Sequence, residues 1–206
     1  MHALILDGGR CGAEPTTRAH AALTSALAHT RCSSTTVTLN EQKIAYCLGC
    51  FECWTKTPGV CRIDDDGRRV TAAMLASDLV VYLTPITFGG YSSTLKKAVD
   101  RSIGLVSPFF TRIDGEIHHR ARYRQYPSLM GVGVLPAIDP VQEQMFGRLI
   151  TRNALNLHAP TCGSCAVDAT QAEDDMYALI ARTLAALAPP VVLHNRSHHI
   201  ELQGVA

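Results

Sequence analysis

Apolar positions in this chain fall into short runs separated by amphipathic stretches. Residues 3–6, 35–39, 79–84 and 129–135 are apolar or β-branched runs with little polar alternation, the pattern of strands buried on both faces of a parallel sheet. Between the runs the period lengthens. Pro15-Thr16-Thr17 opens an Ala/Leu-rich segment to about residue 29, and helices are predicted over 68–76, 92–102 and about 140–155. In a last helix Met176, Leu179, Ile180, Thr183, Leu184 and Leu187 share one face, and Pro189-Pro190 stops it. The alternation requires a fifth strand, for which 159–167 is the remaining space, although Cys162-Gly163-Ser164-Cys165 is poor strand sequence.

Repeated strand-helix alternation predicts a doubly wound α/β fold, and five strands favour the flavodoxin-like order 2-1-3-4-5 with helices on both faces. Ligands then bind at the carboxyl ends of the strands. With no repeat, low-complexity tract or linker, the 206 residues read as a single domain. Two stretches fall outside the alternation and are expected as insertions on the sheet's rim: a Cys-rich one at about 43–66 and a loop at about 104–127.

Charge narrows the function classes. Lys and Arg number 19 against 18 Asp and Glu, so the cationic surplus that drives nucleic-acid binding is missing. No apolar run approaches the roughly 20 residues of a membrane span, and the start Met1-His2-Ala3-Leu4-Ile5-Leu6-Asp7 lacks the basic lead and longer apolar core of a secretory signal. The expectation is a cytoplasmic protein with neither nucleic acid nor membrane as partner.

Candidate chemistry sits in two loops and a cysteine cluster. The loop after the first strand, Gly8-Gly9-Arg10-Cys11-Gly12-Ala13-Glu14-Pro15-Thr16-Thr17, closes with no Gly-Lys-Ser/Thr and lacks the spaced glycines of a dinucleotide fingerprint. It offers a guanidinium on Arg10 and the hydroxyls of Thr16 and Thr17 at a helix N-terminus, which suits a phosphate; a turn plus an N-cap accounts for the same residues. After the third strand, Pro85-Ile86-Thr87-Phe88-Gly89-Gly90 would let backbone approach a planar ring, or is an ordinary Gly-rich connection.

Cys47, Cys50, Cys53 and Cys61 are spaced Cys-x2-Cys-x2-Cys-x7-Cys. Four thiolates from one loop are the ligand count of a [4Fe–4S] cluster and of tetrahedral zinc, and packed thiols without metal are the third reading. His118-His119 with Arg120, Arg122 and Arg124 would suit an anionic ligand such as the extra phosphate of NADPH, or form a solvated basic loop. Cys162 and Cys165, with His158 upstream, read as idle thiols before zinc ligands. No hydrolytic motif is present, and no catalytic residue is nominated.

The segment Thr84-Pro85-Ile86-Thr87-Phe88-Gly89-Gly90-Tyr91-Ser92, continuing to Leu95-Lys96 and Asp100-Arg101, resembles the second flavin-binding loop and helix of the NADPH-dependent FMN reductase-like flavoproteins. Cys47-Leu48-Gly49-Cys50-Phe51-Glu52-Cys53-Trp54, then Pro58-Gly59-Val60-Cys61 and Asp64-Asp65, is similar to the compact motif of their iron-sulfur branch. Gly115-Glu116-Ile117-His118-His119 with Arg122-Tyr123 also resembles that branch, and the likeness spans roughly residues 1–135. It implies an FMN-binding oxidoreductase, a homodimer or homotetramer, that passes electrons from NAD(P)H or reduced ferredoxin to an unidentified acceptor. Arg10, Thr16 and Thr17 would hold the phosphate, Pro85 to Gly90 the isoalloxazine, and Cys47, Cys50, Cys53 and Cys61 a [4Fe–4S] cluster. Two positions depart from the family: Gly9 stands where Ser is usual, and Thr87 where Tyr is common. The competing readings are a non-enzymatic flavin and iron-sulfur electron carrier and a flavin-free metal-binding module.

Overall fold

A computed structural model describes residues 1–9, 14–113 and 115–187. In chain order the elements are β1 (His2–Asp7), α1 (Glu14–His29), β2 (Ser33–Thr38), α2 (Glu52–Thr55), α3 (Asp66–Ala76), β3 (Leu79–Pro85), α4 (Ser93–Arg101), β4 (Val106–Ile113), β5 (Glu116–Ala121), β6 (Ser128–Leu135), α5 (Pro140–Asn156), β7 (Cys162–Asp168) and α6 (Glu173–Leu187). Short 3-10 turns follow β2 at Leu39–Glu41 and α4 at Ser102–Leu105.

Five strands form one parallel sheet in the order β2-β1-β3-β6-β7. Counted among themselves these are strands 2-1-3-4-5, the predicted flavodoxin-like order. The fifth strand does form through Cys162-Gly163-Ser164-Cys165: it pairs with β6 from Leu129↔Cys162 to Leu135↔Asp168, and its buried Cys165, Ala166 and Val167 supply the apolar content.

Side chains alternate across the sheet, so each strand feeds two cores. Ala3, Ile5, Val81, Leu83, Met130 and Val132 pack against Leu23 and Leu27 of α1 and Met176, Ile180 and Leu184 of α6. Leu4, Leu6, Val80 and Tyr82 point the other way, onto Val70 and Met74 of α3, Leu95 and Ala98 of α4, and Phe146 and Ile150 of α5. Helix α5 lies close because β6 carries glycine beneath it. A Cβ at Gly131 would fall 2.5 Å from Ile150 Cγ1, and one at Gly133 2.4 Å from Ile86 Cδ1.

Three helix starts are capped as side-chain chemistry dictates. Asp65 accepts from Gly67 N at α3, Ser92 from Leu95 N at α4, and Asp139 from Val141 N and Gln142 N at α5, whose first residue is Pro140.

The stretch expected as a rim loop at 104–127 folds differently. Residues 106–113 and 116–121 pair as an antiparallel hairpin, from Val106↔Ala121 to Ile113↔Glu116, with Gly115 at φ +86 in its turn. Asp114-Gly115 between β-prone runs is a hairpin signal, outweighed in the sequence by the nearby arginines and histidines. His118 is correspondingly no part of a solvated basic loop. It is 5% exposed, with Nδ1 and Nε2 within 3.0 Å of Asn156 Oδ1 and Glu116 Oε2. Arg122 is occupied by the carbonyls of Gly104 and Val106. No helix among the described residues is long and apolar enough to cross a membrane.

Candidate functional site

The carboxyl ends of β1 and β3 open into a cleft of about 730 Å³. On the β1 side, Gly8 N donates to Leu83 O at 2.8 Å and the Ser92 hydroxyl donates to Gly8 O at 2.7 Å, pinning the first loop to the second. Gly9 N donates to Asp7 Oδ1, and the Asn40 amide donates to Gly9 O. Glycine at position 9 has a steric reason, since a Cβ there would lie 2.6 Å from Thr16 Cγ2 and 2.9 Å from Asp7 Oδ1. The serine usual in the family would need Thr16 to shift. Thr16, nearly buried, and Thr17, exposed, lie on the first turn of α1; Arg10 is outside the described residues.

The loop after β3 is a tight turn. Thr87 N donates to Gly90 O at 3.0 Å and Gly90 N to Thr87 O at 2.9 Å, with Phe88 at φ +50 and Gly89 at φ +75 between them. Two left-handed residues in sequence suit such a turn, and glycine supplies one at no steric cost. The fully buried Thr84 anchors its base, its hydroxyl accepting from Ser92 N and donating to Pro85 O.

The predicted ring-binding residues therefore divide. Pro85, Thr87, Phe88 and Gly90 line the cleft. Ile86 is buried in the core, with its amide on Val134 O, and Gly89 is buried against Met145. A Cβ on Gly90 would meet nothing nearer than Thr87 O at 3.6 Å, so the backbone there is bare on the side a planar ligand would approach. The far wall comes from α4 and α5: Lys96 and Asp100, ion-paired at 2.5 Å, and Asn153, whose amide donates to Tyr91 Oη at 2.7 Å. Burial raises the Tyr91 phenol above its ordinary pKa, so the hydroxyl stays protonated. Asn153 carried no signal in the sequence, because it reaches the cleft from α5, 62 residues beyond Tyr91.

The cysteine segment lies beside this cleft. Cys47, Cys50, Cys53 and Cys61 line one small cavity with Phe51, Arg62, Arg101 and Ile103. Left-handed turns at Gly49 (φ +61) and Phe51 (φ +56) bend the chain between the cysteines. Cys53 is buried on α2, Cys61 half-buried, and Cys47 and Cys50 exposed. Burial pushes the Cys53 thiol up, and the nearness of Cys61, Cys47 and Cys50 adds to that. Among the described residues no three His, Cys, Asp or Glu side chains are drawn together tightly enough to hold a metal ion. A second cavity, about 460 Å³, joins the two regions: Cys47, Gly49 and Phe51 line it together with Val99, Asp100 and Asn153, which also line the cleft.

Residues 7–111 match the NADPH-dependent FMN reductase family, half of the chain and both loops of the cleft. The chain belongs to that family. Over 66 residues it is 35% identical to an iron-sulfur flavoprotein of Methanocaldococcus jannaschii, a stretch covering 32% of this chain and 33% of the relative. The match thus spans about a third of that curated relative's length. Among solved structures, an NAD(P)H:quinone oxidoreductase from Methanothermobacter marburgensis superposes with a TM-score of 0.65 at 13% identity, covering 88% of this chain and 94% of that one. An FMN-dependent NADH-azoreductase from Bacillus anthracis in complex with FMN gives 0.62 at 10% identity, covering 91% and 99%. At such identities the likeness is one of fold.

The remaining cysteine pair is separate. Cys162 is exposed on β7 and Cys165 is buried beneath it, its thiol pushed up to about 11 by burial, which leaves it protonated and unreactive. His158 turns away from both, with Nε2 at 2.7 Å from His119 O.

Proposed function

We propose that this protein is an FMN-dependent oxidoreductase that takes electrons from NAD(P)H or reduced ferredoxin and delivers them to an acceptor by way of a [4Fe–4S] cluster on Cys47, Cys50, Cys53 and Cys61. The observation carrying this reading is the adjoining of the strand-end cleft and the four-cysteine cavity through Val99, Asp100 and Asn153.

The residue types present suit both groups: glycine and hydroxyl side chains at the cleft, and four thiols around one cavity that are not drawn onto a single metal ion. Gly90 leaves bare backbone towards the cleft, and the turn 87–90 with Pro85 would lie along the edge of an isoalloxazine. Thr16 and Thr17, with Arg10, would receive the phosphate at the N-terminus of α1, where the helix dipole favours an anion. Tyr91, kept protonated and held by Asn153, closes the cleft without adding charge. Bound flavin supplies hydride acceptance and one-electron release, so the protein's task is positioning and electrostatic tuning, and no side-chain base is required. Four thiols around one cavity are the donor set of an iron-sulfur cluster. Self-association into a homodimer or homotetramer is part of the same reading.

Anaerobic purification tests it. The expected product has a two-banded flavin spectrum, with iron and acid-labile sulfide in stoichiometric amounts and flavin that bleaches rapidly with NAD(P)H or reduced ferredoxin in stopped flow. The pair Cys47→Ser and Cys50→Ser should lose the iron and keep the FMN. Colourless protein that fails to take up FMN overturns the flavin assignment; flavin without iron leaves an FMN reductase with packed thiols.

A further inference from the structure

Arg101 is the buried cation behind the cysteines. At the end of α4 its side chain is 1% exposed, and it lines the cavity of all four cysteines as well as a further cavity of about 560 Å³, distinct from the one that joins the cleft, that it shares with Cys61. Four of its five N–H groups are on the two terminal nitrogens, and both of those are occupied. Nη1 donates to Ala45 O at 3.0 Å and Asp65 Oδ2 at 2.8 Å; Nη2 donates to Ile63 O at 3.2 Å and Asp65 Oδ1 at 2.8 Å. The fifth, on Nε, is buried with no partner among the described residues.

An orphaned donor on a buried charge costs free energy, about 1–3 kcal/mol, and a buried ion pair is weak evidence of added stability. A structural role alone therefore leaves Nε unexplained. Cys61 lines both of these cavities with it. The backbone of that residue is held by Arg68, whose Nε donates to Cys61 O at 2.7 Å. Arg62, the next residue, is turned outward onto Glu52.

We propose that Arg101 is the positioning residue of the cysteine site: its free Nε–H serves the Cys61 sulfur when that sulfur is a thiolate ligand, and its charge favours the reduced, more negative state of the cluster. This rests on the iron-sulfur reading above. Hydrogen bonds to ligand sulfurs and nearby charge are levers that set cluster potentials. Here Asp65 neutralises part of the guanidinium charge while fixing its plane by the bidentate contact, so the pair sets both direction and strength.

The test is the midpoint potential of the iron-sulfur signal in the anaerobic holoprotein, titrated with dithionite and read by electron paramagnetic resonance, with iron and sulfide measured on each sample. Arg101→Gln should lower the ratio of reduced to oxidised cluster about tenfold at a given potential, a shift of about 59 mV downward for a one-electron couple. Arg101→Lys, which restores the charge, should recover part of it. Asp65→Asn keeps Arg101, still caps α3 and frees the guanidinium charge, so it should move the potential upward. The opposite signs separate tuning from mere support of the loop. Iron-loaded Asp65→Asn with an unshifted or lowered potential overturns the role of Arg101 even where Arg101→Gln fails to fold. Wild-type protein without iron or sulfide overturns the iron-sulfur reading itself, and this proposal with it.

Discussion

Asp65 shows how much one carboxylate can carry. It caps α3 through Gly67 N, accepts from Ala45 N at 2.8 Å and grips Arg101 with both oxygens. Burial alone would raise its pKa; the bonds from Arg101, Ala45 N and Gly67 N override that and hold it below its ordinary value of 3.8. A group depressed in the folded state adds stability that is fully present above the unfolded pKa and is lost as pH falls through the folded one. Asp65→Asn is therefore expected to destabilise the protein by about 2 kcal/mol at pH 7, with the gap to wild type closing as pH drops below the ordinary carboxylate value. Thermal melts of both proteins from pH 7 to pH 3 check this, and a gap that widens on acidification contradicts it. The gathering of the four cysteines at one cavity was legible from their spacing, and the place of Gly90 at the cleft from its loop. The partnership of Asp65 and Arg101 was not, because 36 residues separate them and only the folding of the 43–66 segment over α4 brings them together.

At the scale of elements, the strands were the most legible feature, since a two-sided buried strand must be an apolar run. The longer helices followed from their spacing, while the caps at Asp65, Ser92 and Asp139 and the short helix at Glu52–Thr55 came from the structure. Strand β6 adds something the pattern only half disclosed: its glycines at 131 and 133 are needed for α5 to approach, so Met130-Gly131-Val132-Gly133-Val134 is a docking surface as much as a strand. Gly133→Val should therefore cost roughly 1–3 kcal/mol through overpacking against Ile86 and Phe146. Urea unfolding would read this as a lower midpoint at unchanged slope. Because Ile86 belongs to the loop carrying Thr87 and Phe88, FMN affinity should fall in the same variant, measured by flavin fluorescence. Unchanged stability and affinity would mean that the loop and the core are not coupled through this contact. The hairpin was missed at this scale because its charges outweighed its turn signal, although Phe109, Phe110 and Ile113 are β-prone residues.

Across the whole molecule, the cysteine segment and the hairpin both carry exposed apolar side chains. Ring contacts run from Phe51, stacked on Trp54 at 4.8 Å, to His119 tilted at 4.7 Å from Trp54 and 4.9 Å from Phe110, joining the cysteine segment to the hairpin. Phe109, Phe110 and Ile117 are each about two-thirds exposed there, and Tyr46, Leu48 and Phe51 continue the apolar surface on the cysteine segment. Patches of this kind mark interaction surfaces. Light scattering on the eluted protein should therefore give a particle heavier than one chain, and Phe109→Asp combined with Ile117→Lys should shift it towards the monomer. An assembly unaffected by both changes places its interface elsewhere.

The sequence by itself determined the sheet, its strand order, the two cleft loops and the four-cysteine motif, because each depends on short-range periodicity, turn chemistry or ligand spacing. Tertiary structure alone decided that Ile86 turns into the core while Thr87 and Phe88 face the cleft, that His118 is a buried hairpin residue, that Asn153 closes the site and that Arg101 stands behind Cys61. These are contacts between elements distant along the chain, and a linear pattern holds no record of which side chains meet once two helices and a hairpin close over one edge of a sheet.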